Sequence, residues 1–431
     1  MKRPSSGACR PADADAMKPA GRQPITPGSP TGPVQPVALP KKAFRPMKLL
    51  IIDSRVTKAS DAYSEAEGMG GIASSLIYLS DSLAAEGHDV MLAIASDPDM
   101  RRSGVRIVDC TKVTAGDLSG VEAVIVSNNA DNVTSVKRFL PSVPTFLWVH
   151  IQHDVWFHDL KCLAHYLDTD HARSADGIVF VSEWQKRVFL EKFKDTIPAE
   201  RCHVIRNACN PFVLRQRDDE AGLFDAKRTA LEVAYVSAPT RGLDTLLKLW
   251  PAVRADCPAA TLAVYSGQSI YGVAQADDPI HRLLSGMTME GAEYRGPLSH
   301  ARLTERLLDT AIVAYPTAFE ETSGIAPIEA LAAGCSLVCT DRGALPESAA
   351  GFATMVPYGE GGDAFEEAFA AALIAKVRQW RDGDGAELRT SLRHQRQVIT
   401  ANYRWENRAL EWKSLIALYR TGFRTDKRRP D

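Results

Sequence analysis

The chain has 431 residues, 45% of them hydrophobic and 24% charged. These are the proportions of a folded globular protein with length enough for two domains. A formal net charge of −2 and a pI near 6.6 exclude a nucleic-acid binder held by bulk positive charge. No stretch approaches the ~20 consecutive apolar residues of a membrane span, and the N-terminus lacks the continuous apolar segment of a secretory signal.

Residues 1–46 hold ten of the 25 prolines and eight Lys or Arg against two Asp, with little apolar periodicity. They read as a disordered basic tail, with the folded part beginning at Met47. From there apolar strands and amphipathic helices alternate. Leu49–Asp53 is a short apolar strand, and Ile72, Leu76, Leu79 and Leu83 form one helix face that Gly87 ends. Strands follow at Val90–Ala95, Ala123–Ser127, Thr145–Val149 and Gly177–Ser182. The pattern then restarts with a strand at Ala234–Ser237, a helix at Leu243–Val253 and a strand at Thr261–Tyr265. A strand near Glu293–Tyr294, a helix at Ala301–Leu308 and a strand at Ala311–Ala314 come next. Such alternation predicts parallel sheets with helical crossovers, in two α/β halves joined around Asn207–Arg217. A last helix carries Trp405, Ala409, Trp412, Ile416 and Tyr419 on one stripe.

The eight cysteines (9, 110, 162, 202, 209, 257, 335 and 339) form no CxxC pair and fit neither a zinc site nor a disulfide scaffold. Cys335 and Cys339 lie in apolar runs and read as small buried hydrophobes, in keeping with a reducing, cytoplasmic setting. No Asp-x-Asp occurs, and no metal-binding set is expected.

The most informative stretch is Tyr315–Glu347, YPTAFEETSGIAPIEALAAGCSLVCTDRGALPE. Two carboxylates, Glu321 and Glu329, stand seven residues apart. Between them a small-residue turn, Thr322-Ser323-Gly324, leads at Ile325 into a helix that Gly334 stops, and a strand follows at Ser336–Thr340. A turn before a helix presents free backbone N–H groups at the positive end of the helix dipole, a seat for phosphate. Carboxylates there accept hydrogen bonds from hydroxyls, so phosphate and sugar are expected together.

This segment resembles the E-x7-E region of the family-4 retaining glycosyltransferases, which have the GT-B fold: two Rossmann-like domains facing across a cleft, with a C-terminal helix crossing back to the first. The resemblance extends over roughly Met47 to Tyr419 and is strongest from Tyr235 to Glu347. It implies an N-terminal acceptor domain over 47–210, a C-terminal donor domain over 211–400, a crossover helix over 401–422 and a basic tail over 423–431. By position, Glu321 binds the donor sugar's hydroxyls and Glu329 the nucleotide ribose; Glu320 fails the spacing. Ser323, Gly324 and Ile325 would supply the phosphate-binding turn. Gly68-Met69-Gly70-Gly71 resembles the family's Gly-Gly loop, with Gly70 and Gly71 closing on the donor. It is not the GxGxxG of a dinucleotide site. Arg241, in Ser237-Ala238-Pro239-Thr240-Arg241-Gly242, matches the Lys of the family's G-R-x-x-x-x-K-G and would neutralise the diphosphate. The family's other cation is replaced by Ala238 or a close neighbour. His150, at the end of strand Thr145–Val149, resembles the histidine that faces the donor sugar, and His153 is the alternative. Ser182 ends a segment like the family's V-S-E. Gly267, Tyr294 and Gly296 would line the base.

The function so implied is transfer of a sugar, with retained configuration, from a nucleoside-diphosphate-sugar to a carbohydrate or lipid-linked acceptor, in surface polysaccharide or glycolipid synthesis. No other cofactor is implied, and neither is nucleic acid; a weak membrane-surface contact of the basic C-terminal end is a minor alternative. Rival readings are a GT-B nucleotide-sugar epimerase and a non-catalytic nucleotide-sugar-binding module.

Overall fold

The computed structural model describes residues 45–56, 68–95, 100–154, 173–215, 220–267, 281, 284–286 and 288–421. The basic tail expected over 1–46, apart from its last two residues, and the tail over 423–431 lie outside them.

Two sheets account for the strands. The first contains β1 (Lys48–Asp53), β2 (Asp89–Ile94), β3 (Met100–Arg102), β4 (Val105–Asp109), β5 (Ala123–Ser127), β6 (Thr145–Val149), β7 (Gly177–Phe180) and β8 (Cys202–Val204), in the order β3-β4-β2-β1-β5-β6-β7-β8. All neighbours are parallel except the short β3–β4 pair. The second contains β9 (Glu232–Val236), β10 (Thr261–Tyr265), β11 (Ala292–Tyr294), β12 (Ile312–Tyr315), β13 (Ser336–Thr340) and β14 (Ala353–Val356), wholly parallel, in the order β11-β10-β9-β12-β13-β14. The central strands are apolar throughout because both faces are covered. In β1, Leu49 and Ile51 enter one core and Leu50 the other; in β9, Val233 and Tyr235 face away from Ala234 and Val236 in the same manner.

The crossovers are α1 (Gly71–Ala85), α2 (Ala115–Leu118), α3 (Ala130–Phe139), α4 (Glu183–Phe193), α5 (Glu220–Ala230), α6 (Leu243–Asp256), α7 (His300–Asp309), α8 (Ile325–Ala332) and α9 (Leu345–Ser348). The long α10 (Gly362–Asp382) and α11 (Gly385–Asn402) follow, and α12 (Trp405–Arg420) ends the fold. The expected strand Gly177–Ser182 stops two residues early. Ser182 instead caps α4, its hydroxyl accepting the N–H of Gln185 at 3.0 Å, so that hydroxyl is occupied.

Helix α12 belongs to the core of the first half although it follows the second in sequence. Trp405, Ala409, Trp412 and Ile416 are buried with Leu49, Ile51 and Leu76. The Trp412 ring lies edge-on to Phe146 and Trp148 of β6, at 5.9 and 5.5 Å. Tyr419 packs on Phe146 and bonds Nε2 of His203 at 2.8 Å. The chain crosses between halves twice, at Ile205–Asn210 and at Tyr403–Arg404, and the crossings are tied together where Cys209 N donates to Tyr403 O at 3.0 Å. Because Trp412 is fully buried, Trp412→Ala is expected to cost about 3–5 kcal/mol, read as a lower urea midpoint. A loss under about 1 kcal/mol would mean that α12 is not part of this core.

Candidate active site

Chain order reverses in the second sheet between β9 and β12, the switch point where open α/β sheets bind ligands at their carboxyl ends. The two strands are in register only at Ile312–Val233 and Val313–Ala234 and then part. Their exits carry the two loops that sequence reasoning singled out, 237–242 and 316–324. Glycine packs these loops closely. Gly242 has φ +92°, and a Cβ there would overlap the carbonyl of Pro316; Gly343 has φ +64°, and a Cβ there would overlap the backbone of Glu321. Ala344 N donates to Glu321 O at 2.7 Å, and Thr340 Oγ1 to Thr317 O at 2.8 Å.

This packing brings Arg241 and Glu321 together, with Arg241 Nε 2.9 Å from Glu321 Oε1. The same carboxylate oxygen accepts the phenol of Tyr315 at 2.7 Å, and Tyr315 is 3.3 Å from Ser237 Oγ across the parted strands. Burial, reinforced by Glu321, pushes the Tyr315 phenol well above its usual range, so it is a neutral donor. The Arg241 guanidinium lies over the Phe319 ring, 3.5 Å from its centre. Ala238 is buried, and its carbonyl accepts the Tyr235 hydroxyl at 2.6 Å. Tyr315, Phe319 and Gly343 were not assigned roles from sequence; only their contacts reveal them. Glu320 points elsewhere, to Arg342 at 3.1 Å.

Helix α8 starts at Gly324, which has φ +77° and leaves the first turn without a side-chain cap. Some helices are capped by side chains, such as α3 by Asn129 and α7 by Ser299, while α6, α9, α10 and α12 also lack such a cap. The opposite end of α8 is closely held. Lys227 Nζ donates to Ala333 O at 3.0 Å, Gln395 Nε2 to Leu331 O at 2.9 Å and Arg396 Nε to Ala332 O at 3.3 Å. Against the open end comes α1 of the first half, which begins at Gly70, again with no side-chain cap. A Cβ on Gly71 would stand 3.1 Å from Ile325 Cδ1. The Gly-Gly loop and the Ser323-Gly324-Ile325 turn are therefore neighbours.

Glu329 is buried, and its Oε1 accepts the N–H of Asn210, in the first crossing segment, at 2.9 Å. Its other oxygen has no protein hydrogen bond among the described residues. Replacing Glu329 by alanine would therefore orphan a buried N–H, whereas glutamine keeps an acceptor.

His150 and His153 occupy different surroundings. The His150 ring lies 4.2 Å from Trp148, its backbone carbonyl accepts Thr322 Oγ1 at 2.7 Å, and its Nε2 is buried with no hydrogen-bond partner among the described residues. His153 sits among Phe189 and Phe193. His150 is thus joined to the loop that carries Glu321. Gly267, Tyr294 and Gly296 also come together. The Tyr294 hydroxyl donates to Ser266 O at 2.9 Å, Ser266 Oγ donates to Ser237 O at 2.7 Å, and Gly267 packs on Pro297. Glu347, given no role from sequence, spans the halves. It accepts the N–H groups of Glu183 and Trp184 at 3.1 Å, at the start of α4, and pairs with Arg206.

Residues 228–378 match the profile of the family described as Glycosyl transferases group 1. No curated protein sequence matches the chain. Among solved structures, sucrose-phosphate synthase from Thermosynechococcus elongatus is similar at 18% identity and TM-score 0.64, over 88% of this chain and 100% of that one. Anabaena HepE in complex with UDP-glucose is similar at 13% identity and TM-score 0.60, over 86% and 99%. The UDP-forming trehalose-phosphate synthase from Burkholderia vietnamiensis is similar at 12% identity and TM-score 0.59, over 86% and 98%. The fold is GT-B. These structures share its two open sheets and its central cleft, and in GT-B terms Arg241, Glu321 and the open end of α8 belong to the second half, Gly70, Gly71 and His150 to the first.

Burial depresses the His150 pKa to about 3, so its imidazole is neutral at pH 7. A histidine depressed on folding contributes stability that is fully present above the unfolded value of about 6.5 and is lost as pH falls toward 3. His150→Gln is expected to flatten the decline in urea midpoint between pH 7 and pH 5, by up to about 2 kcal/mol. His88 and His203 are depressed the same way, so part of the decline should remain. An unchanged decline would place His150 in contact with water.

Proposed function

We propose that this protein is a retaining glycosyltransferase that moves a sugar from a nucleoside-diphosphate-sugar to a carbohydrate or lipid-linked acceptor. The observation that carries this reading is the meeting of Arg241 and Glu321 at the switch point beside the open end of α8. A cation and free N–H groups suit a diphosphate; an adjacent carboxylate suits sugar hydroxyls. The family profile over 228–378 and the UDP-glucose bound to the HepE neighbour support the same donor class.

In this reading the leaving diphosphate is stabilised by Arg241 and by the N–H groups of Ser323, Gly324 and Ile325, aimed where negative charge develops. Glu321 accepts hydroxyls of the donor sugar, the uncommitted oxygen of Glu329 accepts a ribose hydroxyl, and Gly267, Tyr294 and Gly296 line the base. His150, neutral and with an unpartnered nitrogen, faces the sugar from the first half, with Gly70 and Gly71 closing over the phosphates. The acceptor enters from the first half. Retention follows if the acceptor attacks from the face the diphosphate leaves, with a phosphate oxygen receiving the acceptor's proton. A cytoplasmic site of action, where such donors are made, belongs to the same proposal.

Ligand-observed NMR with a panel of nucleoside-diphosphate-sugars is expected to single out one donor that is slowly hydrolysed with retained configuration. Arg241→Ala should weaken its binding about 10–100-fold, as for a lost charge-assisted hydrogen bond. Conversion of the donor to its epimer would replace this reading with the epimerase, and binding without turnover in the presence of acceptors would replace it with a binding module.

A further inference from the structure

We infer that Glu321 competes with the donor's diphosphate for Arg241, so that the donor sugar itself releases the cation and its removal expels the product nucleotide. The inference rests on the nucleotide-sugar reading of the site and adds to it an order of events. Arg241 is paired with Glu321 at 2.9 Å, and its guanidinium lies over the Phe319 ring. Loop 237–242 contains no other cation to meet a diphosphate, since Ala238 is buried and apolar. Among the described residues Glu321 has one other partner, the neutral Tyr315 hydroxyl, on the same oxygen.

A nucleoside diphosphate that takes Arg241 therefore leaves a mostly buried carboxylate without its counter-ion, which opposes binding. A nucleoside-diphosphate-sugar has hydroxyls to offer that carboxylate as its phosphates take the guanidinium. Both charged groups then exchange one partner for another, and neither is left bare. Once the sugar has moved to the acceptor, those hydroxyls leave with it. Glu321 returns to Arg241, and the nucleoside diphosphate loses its principal cation. The loop backbone has no need to move for this exchange, clamped as it is by Gly242 and Gly343. Only side-chain partners change.

Isothermal titration calorimetry would test this with UDP, GDP, ADP, CDP and dTDP, each free and as its glucose ester, and GDP also as its mannose ester. The wild type and Glu321→Gln would be compared; the neutral isostere keeps the shape and loses the competition. In the wild type the sugar ester is expected to bind about ten-fold more tightly than the free diphosphate. In Glu321→Gln the free diphosphate should gain about that factor and the difference should close. Weaker or unchanged diphosphate binding in Glu321→Gln would overturn the competition while leaving the nucleotide-sugar reading standing. Absence of binding by every probe to either protein would overturn both.

Discussion

Helix α8 is eight residues long and buried from Pro327 to Ala332, and its ends cannot both be left to water. Its last carbonyls are taken up by Lys227, Gln395 and Arg396, drawn from two other helices. Lys227 is buried, and burial depresses its pKa, yet three carbonyl and sulfur acceptors surround it, a fully satisfied environment for a buried ammonium. With the negative end of the dipole so occupied, the positive end at Gly324 is the one left open, and the cleft is arranged around it.

The elements nearest that end answer to its electrostatics. Gly70 and Gly324 leave their helices uncapped where a serine or aspartate would otherwise fill the N–H groups. Arg241 and Glu321 bring opposite charges to the same place and hold each other until something else occupies them. In the proposed reading this pairing suits a ligand that carries both an anion and hydroxyls. In that reading the helix terminus, the cation and the carboxylate act as one unit, although Ala238 stands where the family's second cation is expected.

The halves are joined by polar contacts on the cleft side and by apolar packing at the rear. Glu329 holds the first crossing segment, Glu347 caps α4 across the interface, and Thr322 reaches the carbonyl of His150. These bonds are few and exchangeable. The packing of α12 on Phe146 and Trp148 is large and apolar, and anchors the chain end permanently in the first half. The cleft side is thus polar and the rear apolar. One oxygen of Glu329 holds the linker, and the other is uncommitted.

The elements with strong periodicity were legible along the chain. Strands β5, β6, β10 and β13 agree with expectation residue for residue, because strands buried on both faces are uninterrupted apolar runs bounded by turns. The stripe Trp405–Tyr419 likewise announced a helix with one apolar face. Helices α10 and α11 and the short edge strands β3, β8 and β14 were not anticipated, since their patterns are weak or brief and their pairing is supplied by neighbours. Of the site, sequence by itself determined the chemical parts: two carboxylates at a fixed spacing, a glycine turn before a helix, and a lone arginine after a strand. Their meeting was decided only by the tertiary structure. Arg241 and Glu321 are eighty residues apart, and no local rule joins them; the reversal of strand order between β9 and β12 does. The same holds for the Tyr315 hydroxyl and for the second duty of Glu329, because a side chain's partner is set by packing in space, while sequence spacing governs only what lies within a turn or two of the same element.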